Sequence, residues 1–447
     1  MNQNKKIPRE FKAINLFSFF LKWSIVIFIA KLVVLANIPG GFWNAADGDN
    51  YIKGVEALIN DGIFAKEINL TYWPAGYPLF IYSLCIFGIS WVLTTTVILQ
   101  SFIFSFAVYF FAKQLSLTRL SKYTKLVFLI ILLNPTLSLS SLSIGYESLA
   151  ASGSLLATGL IIQDLIYKND SKFFRNLMAV SGIFSFLIFI QPRLAVASLI
   201  VIFVWVLKRK FKKALVLFMT ASLAVLFLLP TGLILRNEKA VGIRSISTNL
   251  GSTMNIGAGD GATGGYDSKI KGVKCLIKPT DINSEEIAKI LCILKWYLNN
   301  PDKSLNLFLN KTVYFWSPWS GPILSGTMAL NPWLKINPIK SIEKTPGGSE
   351  FLLSAFGKTI AWIWLLGGLF FLFYGFFTLW KLNFLERFIG VLALIIVLSS
   401  WVVTLFSIGD HRFRLPVMGM SLFLQAIGLK TLFKGGRAVI VDGPSLR

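Results

Sequence analysis

Residues 359–379 read TIAWIWLLGGLFFLFYGFFTL, a run with no formally charged side chain. A helix rises about 1.5 Å per residue, so a run of this length matches the roughly 30 Å hydrocarbon core of a bilayer. No water is available there to satisfy backbone N–H and C=O groups, so the segment must be helical. Similar apolar runs occupy 23–36 (WSIVIFIAKLVVLA) and 215–230 (LVLFMTASLAVLFLLP). Across all 447 residues, 55% are hydrophobic, 39 are Phe and only 15% are charged. Soluble domains carry about 25% charged residues, so a large soluble core is the weaker alternative. The chain reads as an all-α polytopic membrane protein.

Ten spans are expected, near 14–36, 92–113, 123–140, 147–166, 173–190, 192–207, 212–232, 354–379, 384–407 and 413–430. The net charge of +23 could suggest nucleic acid, but its placement argues against that. Basic residues gather in alternate connections: Lys5, Lys6, Arg9 and Lys12; Lys113, Arg119, Lys122 and Lys125; Lys168, Lys172 and Arg175; KRKFKK at 208–213; Lys381 and Arg387; Lys430, Lys434 and Arg437. All six fall on one side, which the positive-inside rule makes the cytoplasm. The N-terminal run has no small-residue cleavage site after it and reads as a retained anchor. Residues 1–447 then form a single membrane domain. Two long extracytoplasmic segments, 37–91 and 233–353, form a substrate-handling layer over it. Of the three cysteines, Cys275 and Cys292 fall in the second segment and could pair, and no metal-ligand spacing appears.

Both long segments carry local helix signals. In 50–60 (NYIKGVEALIN), Tyr51, Val55 and Leu58 share a face, and Asn60-Asp61-Gly62 makes a stop. The stretch 78–90 is apolar but short for a span, and suits a half-buried interfacial helix. Asn283 and Glu286 have capping-box spacing ahead of Ile287, Ile290, Leu291, Leu294 and Leu298.

The residues suited to chemistry all lie on the same expected face. Asp47 and Asp49 flank Gly48 about ten residues beyond the first span. A carboxylate there could take a proton from a hydroxyl, or the pair could hold a divalent cation such as Mg or Mn. The local alternative is an Asx turn capping the following helix. Arg236 closes an apolar run, and Arg244 follows eight residues on. Arginine suits bidentate phosphate contact, but a membrane-edge arginine also snorkels to headgroups. Asp410-His411-Arg412-Phe413-Arg414 puts four ionisable groups in five residues at an outer membrane edge. Such groups are costly unless used, solvated or mutually neutralised. Glu147 opens the fourth span, and Arg193 lies between the fifth and sixth.

These residues sit within motifs that resemble the bacterial GT-C superfamily of glycosyltransferases. The likeness is to its polyprenyl-phosphate-sugar-dependent branch, which includes relatives of protein O-mannosyltransferases and the lipid A aminoarabinose transferase. The motifs are Asp47 to Tyr51; Trp73-Pro74-Ala75-Gly76-Tyr77-Pro78; Asn134-Pro135 with Glu147; Pro192-Arg193; Arg236-Asn237 with Ser247-Thr248-Asn249-Leu250-Gly251; and Arg412 to Pro416. Many relatives have Asp-Glu where this chain has Asp47-Gly48, so Asp49 is left to supply a second acid from a shifted position. The resemblance implies a GT-C-like bundle in a bacterial inner membrane. It implies inverting transfer of a sugar from a polyprenyl-phosphate donor to a hydroxyl of a glycan, lipid or protein. Asp47 would be the base, with Asp49 as helper or metal ligand. Tyr51, Glu147, Arg193, Arg236, Arg244, His411, Arg412 and Arg414 would be the donor-binding set. A monomer in contact with membrane lipids and without nucleic acid is expected. The competing readings are an O-antigen polymerase- or ligase-like enzyme with a diphosphate donor, and a transporter. A transporter would want internal repeats and ionisable groups deep in mid-span, and neither is clear.

Overall fold

The computed structural model describes residues 9–45, 47–167, 170–209, 215–266, 272–275, 282–316 and 354–433. The first connecting segment follows α1 (Arg9–Ala36) and holds α2 (Gly48–Asp61), α3 (Asn69–Tyr72) and α4 (Gly76–Ser83). The bundle continues with α5 (Val92–Ser116), α6 (Ser121–Leu133), α7 (Pro135–Leu139), α8 (Glu147–Tyr167), α9 (Asp170–Ile190), α10 (Ala195–Lys208) and α11 (Leu215–Val241). The second long segment carries α12 (Leu250–Ile256), α13 (Ile282–Asn299) and α14 (Pro301–Trp316). The chain returns through α15 (Ala355–Trp380), α16 (Phe384–Phe406) and α17 (Leu415–Phe433).

Among the described residues, eight helices are long and apolar enough to cross a membrane. They become nine if the pair around Pro135, bent by 53°, counts as one span. The expected ten are therefore not present as ten full-length spans. The shortfall is the span placed at 192–207, because α10 has only 14 residues, about 21 Å of helix. Its C-terminal end nevertheless meets α8, and the stretch before it meets the turn before α17. Below, Arg209 Nη2 pairs with Asp164 Oδ1 at 2.9 Å, and Trp205 Nε1 donates to Asp164 Oδ2 at 3.2 Å. Above, Arg193 lies over the Phe413 ring at 3.9 Å, beside the arginine that approaches Glu147.

Among the described residues, four of the basic connections meet at one end of the bundle. Arg119 N donates to Glu386 Oε1 at 3.1 Å, Lys430 Nζ reaches the Lys122 carbonyl, and Lys208 lies over Phe384 at 5.5 Å. Lipid-facing positions stay apolar: Ile25, Ile29 and Val33 on α1, and Ile363, Leu366 and Phe370 on α15, are exposed. Among the described residues, the first span holds a buried lysine. Lys31 is 3% exposed, donates to Ser141 Oγ at 3.1 Å and stands over Phe104, tying α1 to the bent pair.

Local expectations for the long segments are met in part. Tyr51, Val55 and Leu58 form the buried face of α2, which stops at Gly62 with φ 78°. The 78–90 stretch is a short helix followed by two 3-10 turns, with Ile86, Phe87, Ile89 and Trp91 exposed. Glu286 does not turn back on its own helix; its Oε1 accepts from Gly251 N at 2.6 Å, in the first turn of α12. Cys275 and Cys292 are disulfide-bonded, tying the 272–275 strip to α13.

Where α15 crosses α17 the backbones touch. A Cβ on Gly375 would overlap the Leu424 carbonyl, and one on Gly428 the Phe371 carbonyl. Small residues permit such close crossings in membranes, where packing rather than water exclusion drives helix association. Gly375→Ala or Gly428→Ala should each lower stability by about 1–3 kcal/mol in detergent unfolding. Gly367→Ala, on the same helix but with open space around it, should show no loss.

Candidate active site

Asp47 is delivered by a short parallel pairing. After α1, the chain turns through Pro39–Gly41, with Gly40 and Gly41 at positive φ, and then Trp43–Asn44 pairs with Ser143–Ile144. Ala45 N continues the contact by donating to Ile144 O at 3.2 Å. This pairing draws the start of α2 to the start of α8, although about 100 residues separate them. Gly48 serves close approach here, because a Cβ would stand 3.1 Å from the Ile144 carbonyl. Asp47 occupies the N-cap position of α2 but makes no side-chain cap. Its Oδ2 instead accepts from Arg412 Nη1 at 2.7 Å.

Glu147 is placed by a second network. Tyr77 Oη accepts from Gly145 N at 2.8 Å and donates to Gln100 Oε1 at 3.0 Å; Gln100 Nε2 donates to Ser143 O at 3.0 Å. Burial raises the Tyr77 hydroxyl's pKa, which keeps it a donor. The Tyr77 ring packs on Tyr51, and Tyr51 packs on Tyr146, with centroids 5.1 and 6.4 Å apart. Burial, reinforced by neighbouring carboxylates, likewise keeps Tyr51 and Tyr146 protonated.

Arg412 stands between the two acids. It lies in the 3-10 turn His411–Arg414, whose cap is Asp410: Oδ1 accepts from Arg412 N at 2.9 Å. Its guanidinium bonds Asp47, and its Nε approaches Glu147 Oε1 at 3.9 Å. Arg193 completes the group. Among the described residues it has no hydrogen bond or ion pair, and its Nη1 is buried without a hydrogen-bond partner. Burial lowers its pKa, opposed by Tyr146, Asp47 and Tyr51.

The other expected site residues lie in different surroundings. Asp49 Oδ1 accepts from Asn44 Nδ2 at 2.6 Å. Asp47 and Asp49 thus turn to different partners, and no group of three His, Cys, Asp or Glu among the described residues could hold a metal ion. Arg236 spends its guanidinium on the carbonyls of Ile63 (2.9 Å), Leu70 (3.4 Å) and Ala65, and on Asn237 Oδ1 (2.9 Å). It braces the 63–70 stretch against α11. Arg244 pairs with Glu238 at 2.6 Å on an exposed surface. Arg414 turns away from Arg412 and donates to Trp316 O at 2.8 Å, while His411 meets the backbone of Phe315.

Beside the charged group, between α10 and α16, runs an apolar cavity of about 510 Å³. Val196 and Ile200 line one side, Ile395, Val402 and Phe406 the other, and Met254 of α12 the top. Val196 is three residues from Arg193, and Ser407, which also lines the cavity, is three from Asp410.

One residue that the sequence reading passed over is Lys311. It occupies the buried row Leu307, Lys311, Phe315 of α14, where a lysine in an apolar i, i+4 series was the available signal. Its Nζ donates to Tyr297 Oη at 2.7 Å and Leu405 O at 2.8 Å. Burial pushes its pKa down to about 7.

No protein-family model matches this chain, and no curated protein sequence does. Among solved structures it is similar to the archaeal oligosaccharyltransferase AglB from Archaeoglobus fulgidus, in complex with an inhibitory peptide and a dolichol-phosphate. Identity is 13% and the TM-score 0.41, over 95% of this chain and 53% of that one, so this chain spans about half the length of AglB.

The Lys311 shift sets a pH dependence. Unfolded, the amine holds its proton up to the ordinary value of 10.5; folded, it releases it near 7. Between these limits the unfolded chain binds more protons, so stability should rise with pH, by up to about 1.4 kcal/mol per unit. Thermal unfolding from pH 7 to 10 should show that rise, and Lys311→Met should flatten it.

Proposed function

We propose that this protein is a membrane-embedded glycosyltransferase that moves a sugar, with inversion, from a polyprenyl-phosphate donor to a hydroxyl acceptor. The observation that carries the reading is the Asp47–Arg412–Glu147 group, with the unpartnered Arg193 beside an apolar cavity. A carboxylate, a spare guanidinium and an adjoining apolar cavity suit a donor that is anionic at one end and isoprenoid at the other. The prenyl chain lies in the α10–α16 cavity, and its phosphate rises to Arg193. Arg412 Nε, also without a hydrogen-bond partner, offers a second donor. The basic connections orient the site to the extracytoplasmic face, and the disulfide fits an oxidising compartment. By the sequence resemblance, the membrane is the bacterial inner membrane.

In the reaction, Asp47 takes the acceptor hydroxyl's proton as that oxygen attacks the anomeric carbon. The bond from this carbon to the phosphate oxygen breaks on the opposite face, and its electron pair leaves with the polyprenyl phosphate. Attack opposite the leaving group gives inversion. Arg412 holds the Asp47 carboxylate in place through the 2.7 Å bond from its Nη1, and Arg193 stabilises the charge growing on the phosphate. Among the arginines, phosphate binding falls to Arg193 and Arg412, since the fork of Arg236 is occupied by carbonyls.

Purified protein in nanodiscs, supplied with a panel of labelled polyprenyl-phosphate sugars and a membrane-extract acceptor pool, tests this reading. Asp47→Asn should cut turnover by about 10²–10⁴-fold while leaving donor binding in place. Turnover only with diphosphate-linked donors would replace this reading with the polymerase- or ligase-like one, and a normal rate for Asp47→Asn would remove Asp47 as the base.

A second comparison separates the arginines. Arg193→Ala should weaken polyprenyl-phosphate binding and lower turnover by about 10²-fold. Arg236→Ala should lower the unfolding temperature and leave donor affinity within about threefold of wild type. Equal affinity in the Arg193 variant would take that residue out of the site.

A further inference from the structure

We infer that Lys311 is a positioning residue, through which the second long segment holds the Asp410–Arg412 turn against Asp47. The inference deepens the transferase reading, and only its turnover test rests on that reading. The argument begins where α16 ends. If the helix continued, Leu405 O would accept from Gly409 N, four residues on. Gly409 N instead donates to Gly264 O at 2.7 Å, and Leu405 O takes Lys311 Nζ at 2.8 Å. The second segment thus supplies both replacement partners: an acceptor for the freed amide and an amine donor for the freed carbonyl. The chain is thereby released from the α16 axis and enters the turn that carries Arg412.

The surroundings leave Lys311 little alternative. It is fully buried, and no carboxylate among the described residues pairs with it. Tyr297 Oη accepts its second bond and donates onward to Gly257 O at 3.2 Å. Gly257 lies against the Ser407 carbonyl, where a Cβ would not fit, and a Cβ on Gly409 would stand 2.7 Å from Lys311 Cα. A cation held this way, without a counter-ion, is costly to bury. Its bonds go to the last turn of α16, ahead of the stretch that leads to Arg412, and to the tyrosine that donates to Gly257 O. An apolar residue could fill the same volume but could not replace the lost bond on Leu405 O.

Hydrogen exchange in nanodiscs gives a test that needs no transfer activity. In Lys311→Met, amides in 407–413 should exchange at least about tenfold faster than in wild type, with α5 and α8 unchanged. Lys311→Arg, which keeps N–H donors at this position, should recover part of the protection. Unchanged exchange in a folded Lys311→Met protein overturns the inference. Should that variant not fold, Tyr297→Phe decides: about threefold faster exchange in 407–413 supports the clamp, and none overturns it.

Turnover supplies the second arm. Lys311→Met should lower the rate at least about tenfold in the wild-type background but less than about threefold in an Arg412→Lys background, because both changes disturb one arrangement. Effects that multiply in full would overturn the inference. If wild-type protein transfers no sugar, the transferase reading fails while the exchange result still stands.

Discussion

Everything at the site end of this bundle depends on placing an arginine between two carboxylates where water is scarce. A lone ion there would cost several kcal/mol, and a missing partner would leave its opposite number exposed to the same penalty. Arg412, Asp47 and Glu147 come from three places distant in sequence, so their mutual neutralisation fixes how the first connecting segment, α8 and the α16–α17 link meet. The two-residue pairing of Trp43–Asn44 with Ser143–Ile144 is small, but it sets the register of that meeting. The Tyr77–Gln100 network then holds the turn before Glu147 through uncharged groups. Rigid neutral scaffolding around a few charges is what preorganised sites require.

Much of the architecture was legible because membrane helices obey a simple length and polarity rule. The runs at 23–36, 215–230 and 359–379 could hardly be anything else. The rule weakens where a helix is short, as at α10, or broken, as at the Pro135 bend. It reads apolar length but not the anchors at each end that let a shorter helix serve. The amphipathic face of α2 was legible for the same reason: Tyr51, Val55 and Leu58 recur at the helical period.

The site was legible by residue type and much less by orientation. Asp47 sits in the N-cap position that the local alternative required, yet its carboxylate goes to a residue 365 positions away. Arg236 and Arg193 look alike in sequence, each at an apolar boundary. One has its fork filled by backbone carbonyls and the other has none of it filled, a difference set by which loop folds over each helix end. Arg412 and Arg414, two residues apart, part company because a 3-10 turn sends them to different sides. Glu286 matched a capping-box spacing and caps a different helix, since spacing cannot exclude a better-placed amide elsewhere.

The shortness of α10 bears on which bilayer suits this chain. From Arg193 to Arg209 the rise is about 25 Å, and from Glu147 to Asp164 it is about the same. Charged side chains therefore mark both ends of a slab thinner than an average hydrocarbon core. Lipids bordering α10 must compress or tilt to meet it, at a fraction of a kcal/mol for each ångström of mismatch. That strain would fall beside the apolar cavity, so acyl-chain length would act on the flank where the prenyl chain of the proposed donor would enter.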